Sequence, residues 1–320
     1  MLPPLTFQPI PVERVWGGHE LARFGRALPP NQLIGESWEI SDRDDAATTV
    51  ADGPALGQTL RQLIAQHGPA LLGTHAGNPQ RFPLLVKLLD ARQRLSLQVH
   101  PPAAIATRLG GEPKTEMWYI LDADPAAHLI AGLRRGVTRP QFEQALQQQR
   151  LETCVHRFPV TAGDAVFIPS GRLHAIDAGL VLVEIQQNSD TTYRVYDWGR
   201  PRPLHVAESL ASINFADFEP GKVEPRREPR GRNVLSRLVE ADEFHVHQLE
   251  LAAPWKDRCD GTSFHILTGV GGRLGLRSPG TPDRTIGVGE FVLLPASLGD
   301  YTLTPLAKNG SVLKTFLPRK

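Results

Sequence analysis

The sequence is poor in cysteine, in aromatic residues and in long apolar runs. Its two cysteines, Cys154 and Cys259, form no CxxC pair and are too few for a disulfide framework. We therefore predict that both are small buried side chains in a reducing compartment. No apolar run is long enough to cross a bilayer, and the first residues lack the apolar core of a signal peptide. These deficits predict a soluble, cytoplasmic protein.

An excess of charge of either sign is also missing. The chain carries 35 lysines and arginines against 34 aspartates and glutamates, a formal net charge of +1. Nucleic acid and anionic membranes attract proteins through clustered basic side chains, and a balanced chain offers no such field overall. We therefore exclude both as main partners and expect a small-molecule ligand. The sequence does not determine the oligomeric state.

Glycine and proline, by contrast, are abundant, with 29 and 28 residues in a chain of 320. Many turns between short strands account for such a composition better than a helical bundle. Strand-like runs follow one another at 84–89, 95–100, 116–121, 128–133, 165–169, 180–186 and 192–198. Capping-box spacings predict helices that begin after Thr59 and Thr138, the first of them ending at Gly68, and a third helix is expected at 206–213. Closely spaced strands with few helices predict an all-β sandwich or barrel.

The chain divides at a proline-rich, charged segment over 219–232, which we predict to be a linker or an exposed connection. Before it we expect a catalytic domain over 1–218, whose first 56 residues look irregular except for a strand at 36–41. After it, strand-like runs at 243–251, 263–267, 289–295, 301–306 and 311–317 predict a second β-domain over 233–320. Residues 163–169 and 289–295 share glycine, an acid, an apolar run and proline at the same spacing, which indicates an internal duplication.

The stretch from residue 94 to 121 offers candidate metal ligands. Apolar and polar residues alternate over 95–100, so Gln98 and His100 point the same way from one strand. A Pro-Pro pair, a short helical piece at 103–109 and two glycines then lead to a second strand that begins at Glu116. Glutamine, histidine and glutamate on neighbouring strands could supply part of a divalent metal site.

Residues 163–174 fit G-x5-P-x-G-x2-H, which resembles the second motif of the cupin superfamily, and this motif places His174 inside a β-barrel. The motifs QVHP at 98–101, KTEMWY at 114–119, PSGRLHAI at 169–176 and QQNSDTTYR at 186–194 occur in that order. Together they resemble type I mannose-6-phosphate isomerases in their short bacterial form. The likeness covers most of the chain and weakens after about residue 218.

The resemblance implies two cupin-like jelly-roll domains with a few short helices, the second domain lacking the full ligand set. It implies one zinc ion per chain, held by Gln98, His100, Glu116 and His174. It also implies a sugar-phosphate substrate, interconversion of mannose 6-phosphate and fructose 6-phosphate through an enediol-type intermediate, and two active-site cations, Lys114 and Arg194. Zinc accepts imidazole nitrogen and carboxylate oxygen, and a catalytic site keeps a position open, so these residue types suit the chemistry.

Glu184 lies within the apolar run LVEI, where an inward-facing charge requires a metal or a cation as partner. We therefore predict that it is the catalytic base or a residue that supports the metal or the cations. Asp190 and Ser189 are further candidates for contacts with sugar hydroxyls, although turn formation explains them equally well.

Other functions use similar ligands. The chain could isomerise another hexose phosphate, bind a sugar phosphate without catalysis around a structural metal, or hold iron in an oxygenase. His245-x-His247 in the second β-domain imitates a metal-binding pair. The duplication, however, aligns Thr262 and Asp300 with Glu116 and His174, so we predict the polar face of a strand there. For the glycines at 269–272 we predict a hairpin turn.

Overall fold

The computed structural model of the chain describes residues 2–77 and 79–319. It contains four α-helices, which are α1 (Leu60–Leu72), α2 (Ala103–Ala106), α3 (Arg139–Gln147) and α4 (Val206–Ser212). The strands of the first part are β1 (Phe7–Gln8), β2 (Ile10–Gly18), β3 (Ile34–Ile40), β4 (Thr49–Val50), β5 (Leu84–Ala91), β6 (Leu97–Val99), β7 (Glu116–Ala123), β8 (His128–Leu133), β9 (Val155–Pro159), β10 (Ala165–Ile168), β11 (His174–Ile176), β12 (Leu180–Gln187) and β13 (Tyr193–Tyr196). Those of the second part are β14 (Arg226–Arg230), β15 (Asn233–Glu240), β16 (His245–Leu251), β17 (Trp255–Cys259), β18 (His265–Arg277), β19 (Arg284–Ile286), β20 (Phe291–Leu294) and β21 (Gly299–Phe316).

The first part is a double-sheet β-domain of the cupin type, which confirms the predicted fold class. One sheet has the strand order β10-β7-β12-β5-β3-β2 and the other β13-β6-β11-β8-β9, with antiparallel pairing throughout. Trp118, Leu182, Leu129 and Ile176 belong to the apolar cluster formed by both sheets. The two sheets are open and face each other.

The six-stranded sheet is buried on both faces. On β12, Leu180 and Leu182 contribute to the cluster between the sheets, whereas Val181 and Val183 belong to a core shared with the second β-domain. A strand covered on both sides reads as a continuous apolar run, so the sequence alone does not indicate which residues face the inside. Strand alternation places Glu184 on the same side as Leu182, toward the space between the sheets.

The second part is one eight-stranded sheet in which β18 and β21 each pair with three other strands. The order is β14-β15-β16-β21-β18-β19, with β17 added beside β21 and β20 beside β18. The long strand β21 pairs with β17 through its first residues and with β16 through its last. One strand can therefore belong to both faces of the β-domain, because register shifts bend its ladder with β18.

Several sequence predictions need correction. Residues 10–18 form a strand in the region expected to be irregular, and β14 occupies the second half of the predicted linker, where it pairs with β15. The runs 301–306 and 311–317 belong to one strand, β21, although its last residue is 316. The glycines at 269–272 lie inside β18 and form bulges, so the predicted hairpin turn is wrong.

The capping boxes are confirmed at Thr59 and Thr138, whose hydroxyls accept from the backbone of Gln62 and Gln141. The prediction that α1 ends at Gly68 is wrong. Gly68 forms a kink with φ 5° and ψ −90°, and the helix continues after it to Leu72. The last turn of α1 then contacts the second β-domain, where the amides of Ala296 and Ser297 donate to carbonyls of this turn.

The two halves of the predicted duplication have the same local structure. Gly163 and Gly289 both adopt positive φ, at 94° and 74°, and each precedes a four-residue strand, β10 or β20. Glycine is favoured there because a side chain would be strained in this conformation. Within the described residues, no helix is both long and apolar enough to span a membrane.

Candidate active site

Three buried side chains converge between the two sheets of the first β-domain. His100 follows β6, Glu116 begins β7 and His174 begins β11, and their ligand-type atoms all lie within 4.8 Å of one another. The Nε2 of His100 is 3.4 Å from Glu116 Oε2, and the Nε2 of His174 is 3.5 Å from Glu116 Oε1. These separations match the edges of a zinc tetrahedron, which are about 3.4 Å for ligand bonds near 2.1 Å.

Hydrogen bonds at the far side of each imidazole orient the pair. His100 Nδ1 lies 2.8 Å from the carbonyl of Thr191, and His174 Nδ1 lies 2.9 Å from the carbonyl of Arg172. A carbonyl only accepts, so each Nδ1 carries the proton and each Nε2 presents a lone pair to the centre. Burial, as the largest cause, lowers the pKa of both histidines, that of His174 to about 3.

Glu116 provides the negative charge of this group. Burial opposes its ionisation, but the charge of Lys114 outweighs that effect, so the pKa of Glu116 lies well below its usual value. Its Oε1 and the Nε2 of His100 are buried without a hydrogen-bond partner, while its Oε2 faces the Lys114 ammonium at 2.8 Å. Buried polar atoms almost always have partners, and two such atoms facing one point suit ligands of a cation.

Gln98 lies beside the group in a different orientation from that expected of a ligand. Its amide nitrogen is 3.2 Å from His174 Nε2, and its oxygen accepts a hydrogen bond from Ser96. Rotation of the amide by half a turn would direct the oxygen to the centre instead.

A row of alternating charges extends from this group. Lys114 Nζ lies 2.8 Å from Glu116 Oε2 and 3.6 Å from Glu184 Oε1. Lys87 follows, 3.5 Å from both Glu184 and Glu36, and all five side chains are at least nine-tenths buried. Buried charges are tolerated when each has an opposite partner, as here.

Local fields set the protonation of this row. Burial lowers the pKa of Lys114, but Glu116 and Glu184 outweigh it, so the net shift is upward and the amine stays charged. The pKa of Glu184 is raised, first by burial and then by Glu116, against the opposing effect of Lys114 and Lys87. Trp118 donates its indole N–H to Glu184 over 3.1 Å and holds the carboxylate in place.

A cavity of about 310 Å³ opens beside this row. Its lining has five cationic side chains and three carboxylates, an excess of two positive charges. The lining residues are Arg14, Trp16, Glu36, Lys87, Leu89, Leu95, Ser96, Gln98, Lys114, Ile176, Glu184, Asp190, Thr192, Arg194 and Arg202. An anion with two negative charges would balance this lining.

Arg194 and Arg202 form one cationic wall of the cavity. Arg194 donates to the carbonyl of Pro203 over 2.7 Å, and its buried Nε has no partner. Asp197 holds Arg202 through two hydrogen bonds of 2.6 and 2.7 Å. Burial, followed by the field of Arg202, lowers the pKa of Arg194, yet a guanidinium remains charged at neutral pH.

The structure brings together all seven residues that the sequence predicted, with Gln98 in the alternative amide orientation. Sequence reasoning missed Arg14, Glu36, Lys87 and Arg202. A signal existed for Lys87, the only charge in the apolar run LLVKLL. Arg14 lies in a segment that was expected to be irregular, whereas Glu36 begins the strand predicted at 36–41. Their bidentate pairing depends on how β2 meets β3.

In the second β-domain, the residues aligned with Glu116 and His174 do not form a comparable centre. Asp300 is exposed and faces Arg258 at 3.6 Å, while Thr262 bonds to Asp260. The described structure thus contains the complete histidine-glutamate group of the duplicated motif only in the first β-domain.

This fold and this group define the class of the protein, a cupin-type β-protein with a candidate metal centre next to a cationic cavity. Residues 5–128 match the model of the phosphomannose isomerase type I catalytic domain. Mannose-6-phosphate isomerase ManA of Bacillus subtilis is 34% identical over 95% of this chain and 97% of its own length, and a mannose-6-phosphate isomerase of Streptococcus mutans is 32% identical over 94% and 95%. The crystal structure of the B. subtilis mannose 6-phosphate isomerase matches with a TM-score of 0.88, at 30% identity over 98% of this chain and 99% of that one.

The chain belongs to the type I phosphomannose isomerase family. It is therefore an enzyme, an isomerase of this class.

Proposed function

We propose that the chain interconverts mannose 6-phosphate and fructose 6-phosphate with the help of one zinc ion. The observation that carries the proposal is the buried group of His100, Glu116 and His174, whose unpartnered atoms face one point beside a cavity with two excess positive charges. Zinc suits two imidazoles and a carboxylate, and a phosphate monoester suits the cationic lining. The named relatives act on the same substrate.

His100, Glu116 and His174 would hold the metal, and Gln98 would join them after its amide turns. When bound, zinc would supply a Lewis acid that stabilises negative charge on an oxygen of the open-chain sugar. Lys114, charged and next to Glu116, places a second positive charge where the oxyanion develops.

Glu184 is the proposed base. It takes the proton from C2 while the electrons of that C–H bond form the C1–C2 double bond and the charge moves to the oxygen on C1. Transfer of the hydroxyl proton from the C2 oxygen to the C1 oxygen, and return of the carbon-bound proton to C1, complete the ketose without net gain or loss of protons. A raised carboxyl pKa makes Glu184 a better proton acceptor than an exposed glutamate.

Arg194 and Arg202 are the proposed phosphate-binding pair. Asp197 pre-orients Arg202, and the unpartnered Nε of Arg194 is available for an anion. A guanidinium pair binds phosphate through several donors at once and can leave the sugar carbons facing Lys114 and Glu184.

Activity on mannose 6-phosphate, measured by coupling fructose 6-phosphate formation to a dehydrogenase, tests the proposal. We expect turnover, its loss after chelation and its return with zinc. A metal-loaded, folded preparation that is inert on this substrate would contradict the proposed reaction. A panel that includes glucose 6-phosphate separates the proposed substrate from other hexose phosphates.

Replacing Arg194 with alanine distinguishes catalysis from mere binding of a sugar phosphate around a structural metal. We expect kcat/KM to fall by roughly 10²–10³-fold with zinc content unchanged. Arg135→Ala is a matched control, because Arg135 is exposed, pairs with Glu219 and is absent from the cavity lining. Turnover of Arg194→Ala near the parent rate would show that the active site is misplaced.

A further inference from the structure

Two histidines and a glutamate meet at the edge of the second β-domain, away from the candidate active site. His245 and His247 begin β16 and project from the same side of the strand, with ring centroids 6.3 Å apart and an interplanar angle of 22°. Glu240 ends β15 and lies directly opposite His245 in the antiparallel ladder. The ligand-type atoms of all three residues lie within 4.8 Å of one another.

The duplicated motif does not itself supply the carboxylate of this group. Aligning the two β-domains assigns the glutamate position to Thr262, which is occupied by its own contact with Asp260. The structure instead supplies Glu240 from the strand before the histidine pair. This pairing depends on the ladder between β15 and β16, which shifts register between Arg237 and Val239.

We propose that Glu240, His245 and His247 form a second site for a divalent metal ion of the zinc type. The distance of 3.4 Å between His247 Nε2 and Glu240 Oε1 equals that between His100 Nε2 and Glu116 Oε2. It fits two ligands on one zinc ion, for which an edge of about 3.4 Å is expected. Imidazole and carboxylate together favour zinc, nickel or copper over magnesium or calcium.

Exposure and charge both bear on this site. Glu240 is solvent-exposed and His245 half-buried, so an ion can reach the group and keep water in its remaining positions. Burial and then the field of Lys314 lower the pKa of His247 to about 4, and burial also lowers that of His245. Both imidazoles are therefore neutral, as ligands must be, at pH 7.

Two cations compete with the metal. Arg237 donates to Glu240 over 2.8 Å, and Lys314 lies on β21 opposite His247. A bound ion would displace the guanidinium or use the other carboxylate oxygen. We therefore expect the second site to bind zinc more weakly than the centre in the first β-domain, where all three residues are buried and Glu116 Oε1 has no hydrogen-bond donor.

Zinc binding to the chelator-stripped full-length enzyme tests the site. We expect two equivalents in equilibrium dialysis for the parent and one for His245→Ala. His67→Ala, which removes an exposed histidine from α1, is the matched control and should keep both. Circular dichroism verifies that each variant is folded.

A second readout uses cobalt, whose visible absorption reports ligand type and number. The difference spectrum between the parent and His245→Ala should show one cobalt ion with nitrogen and oxygen ligands. If the parent and His245→Ala bind the same number of zinc ions, the second site is refuted, whatever that number is. If both lose one equivalent in the Glu116→Gln background and still differ from each other, the two sites are independent.

Discussion

Zinc should stabilise the fold through Glu116, and the size of the effect follows from the unpartnered atoms of the buried group. Each buried polar atom without a hydrogen bond costs roughly 1–3 kcal/mol. His100 Nε2 and Glu116 Oε1 together therefore cost the metal-free protein roughly 2–6 kcal/mol. Ligation removes this cost, so the free energy of unfolding should rise when zinc is added.

The expected shift can be calculated from mass action. With free zinc at about a thousand times its Kd, the stabilisation is about 4 kcal/mol. For a chain of this size, about 2 °C of Tm corresponds to each kcal/mol, so the metal-free protein should melt roughly 8 °C lower than the zinc-loaded protein. Scanning calorimetry in the His245→Ala background measures this shift without a contribution from the second proposed site.

Glu116→Gln keeps the shape of the side chain but removes its negative charge, so the zinc-dependent shift should nearly vanish. Glu143→Gln, an exposed carboxylate on α3, should leave the shift intact. Identical melting curves with and without zinc in the His245→Ala protein would refute the assignment of the metal group. An undiminished shift in Glu116→Gln would refute the role of this carboxylate.

Further predictions concern the charge row, the active-site wall and a helix cap. Lys87→Met should lower the free energy of unfolding by about 3 kcal/mol in urea titrations, since it removes one of the two cationic partners from each of two buried carboxylates, Glu36 and Glu184. Exposed Lys222→Met should change it by less than about 1 kcal/mol. Burial opposes the ionisation of Glu36, but Lys87 and Arg14 outweigh it and lower its pKa to about 2, so its stabilisation is present above pH 4.5 and is lost as the pH falls toward 2. Between pH 4.5 and 2, the free energy of unfolding of Glu36→Gln should therefore change with pH less steeply than that of the parent, by up to about 1.4 kcal/mol per pH unit. An unchanged slope would contradict the lowered pKa of Glu36. Thr138→Ala should cost about 1 kcal/mol by loss of the α3 cap, and retention of full thermal stability would disprove that contribution.

Local pattern was sufficient for much of the fold. Capping boxes at Thr59 and Thr138 and the period-2 runs located helices and strands within a few residues, because caps and alternation are short-range properties of the backbone. The same pattern failed where a boundary depended on distant contacts. Helix α1 continues beyond Gly68 because its last turn bonds to the second β-domain, and the glycines at 269–272 remain in β18 because β21 pairs with them across their bulges.

The same distinction between local pattern and distant contacts applies to the candidate site. The family resemblance of the ordered motifs implied Gln98, His100, Glu116 and His174 as metal ligands, and turn and strand signals located the segments that carry them. The resemblance also implied Lys114 and Arg194, and the apolar run LVEI indicated Glu184. The structure places all three in the lining of one cavity. Their catalytic roles remain predictions.

What the sequence by itself determined is therefore the set of chemical groups and the short segments that carry them. Only the tertiary structure decided that Lys87 lies between Glu36 and Glu184, and that Glu240 rather than Thr262 lies beside His245. The physical reason is the register of the β-ladders. Spacing along the chain specifies geometry within one strand, but pairing between strands depends on the packing of whole sheets, and a shift of one residue exchanges the two faces.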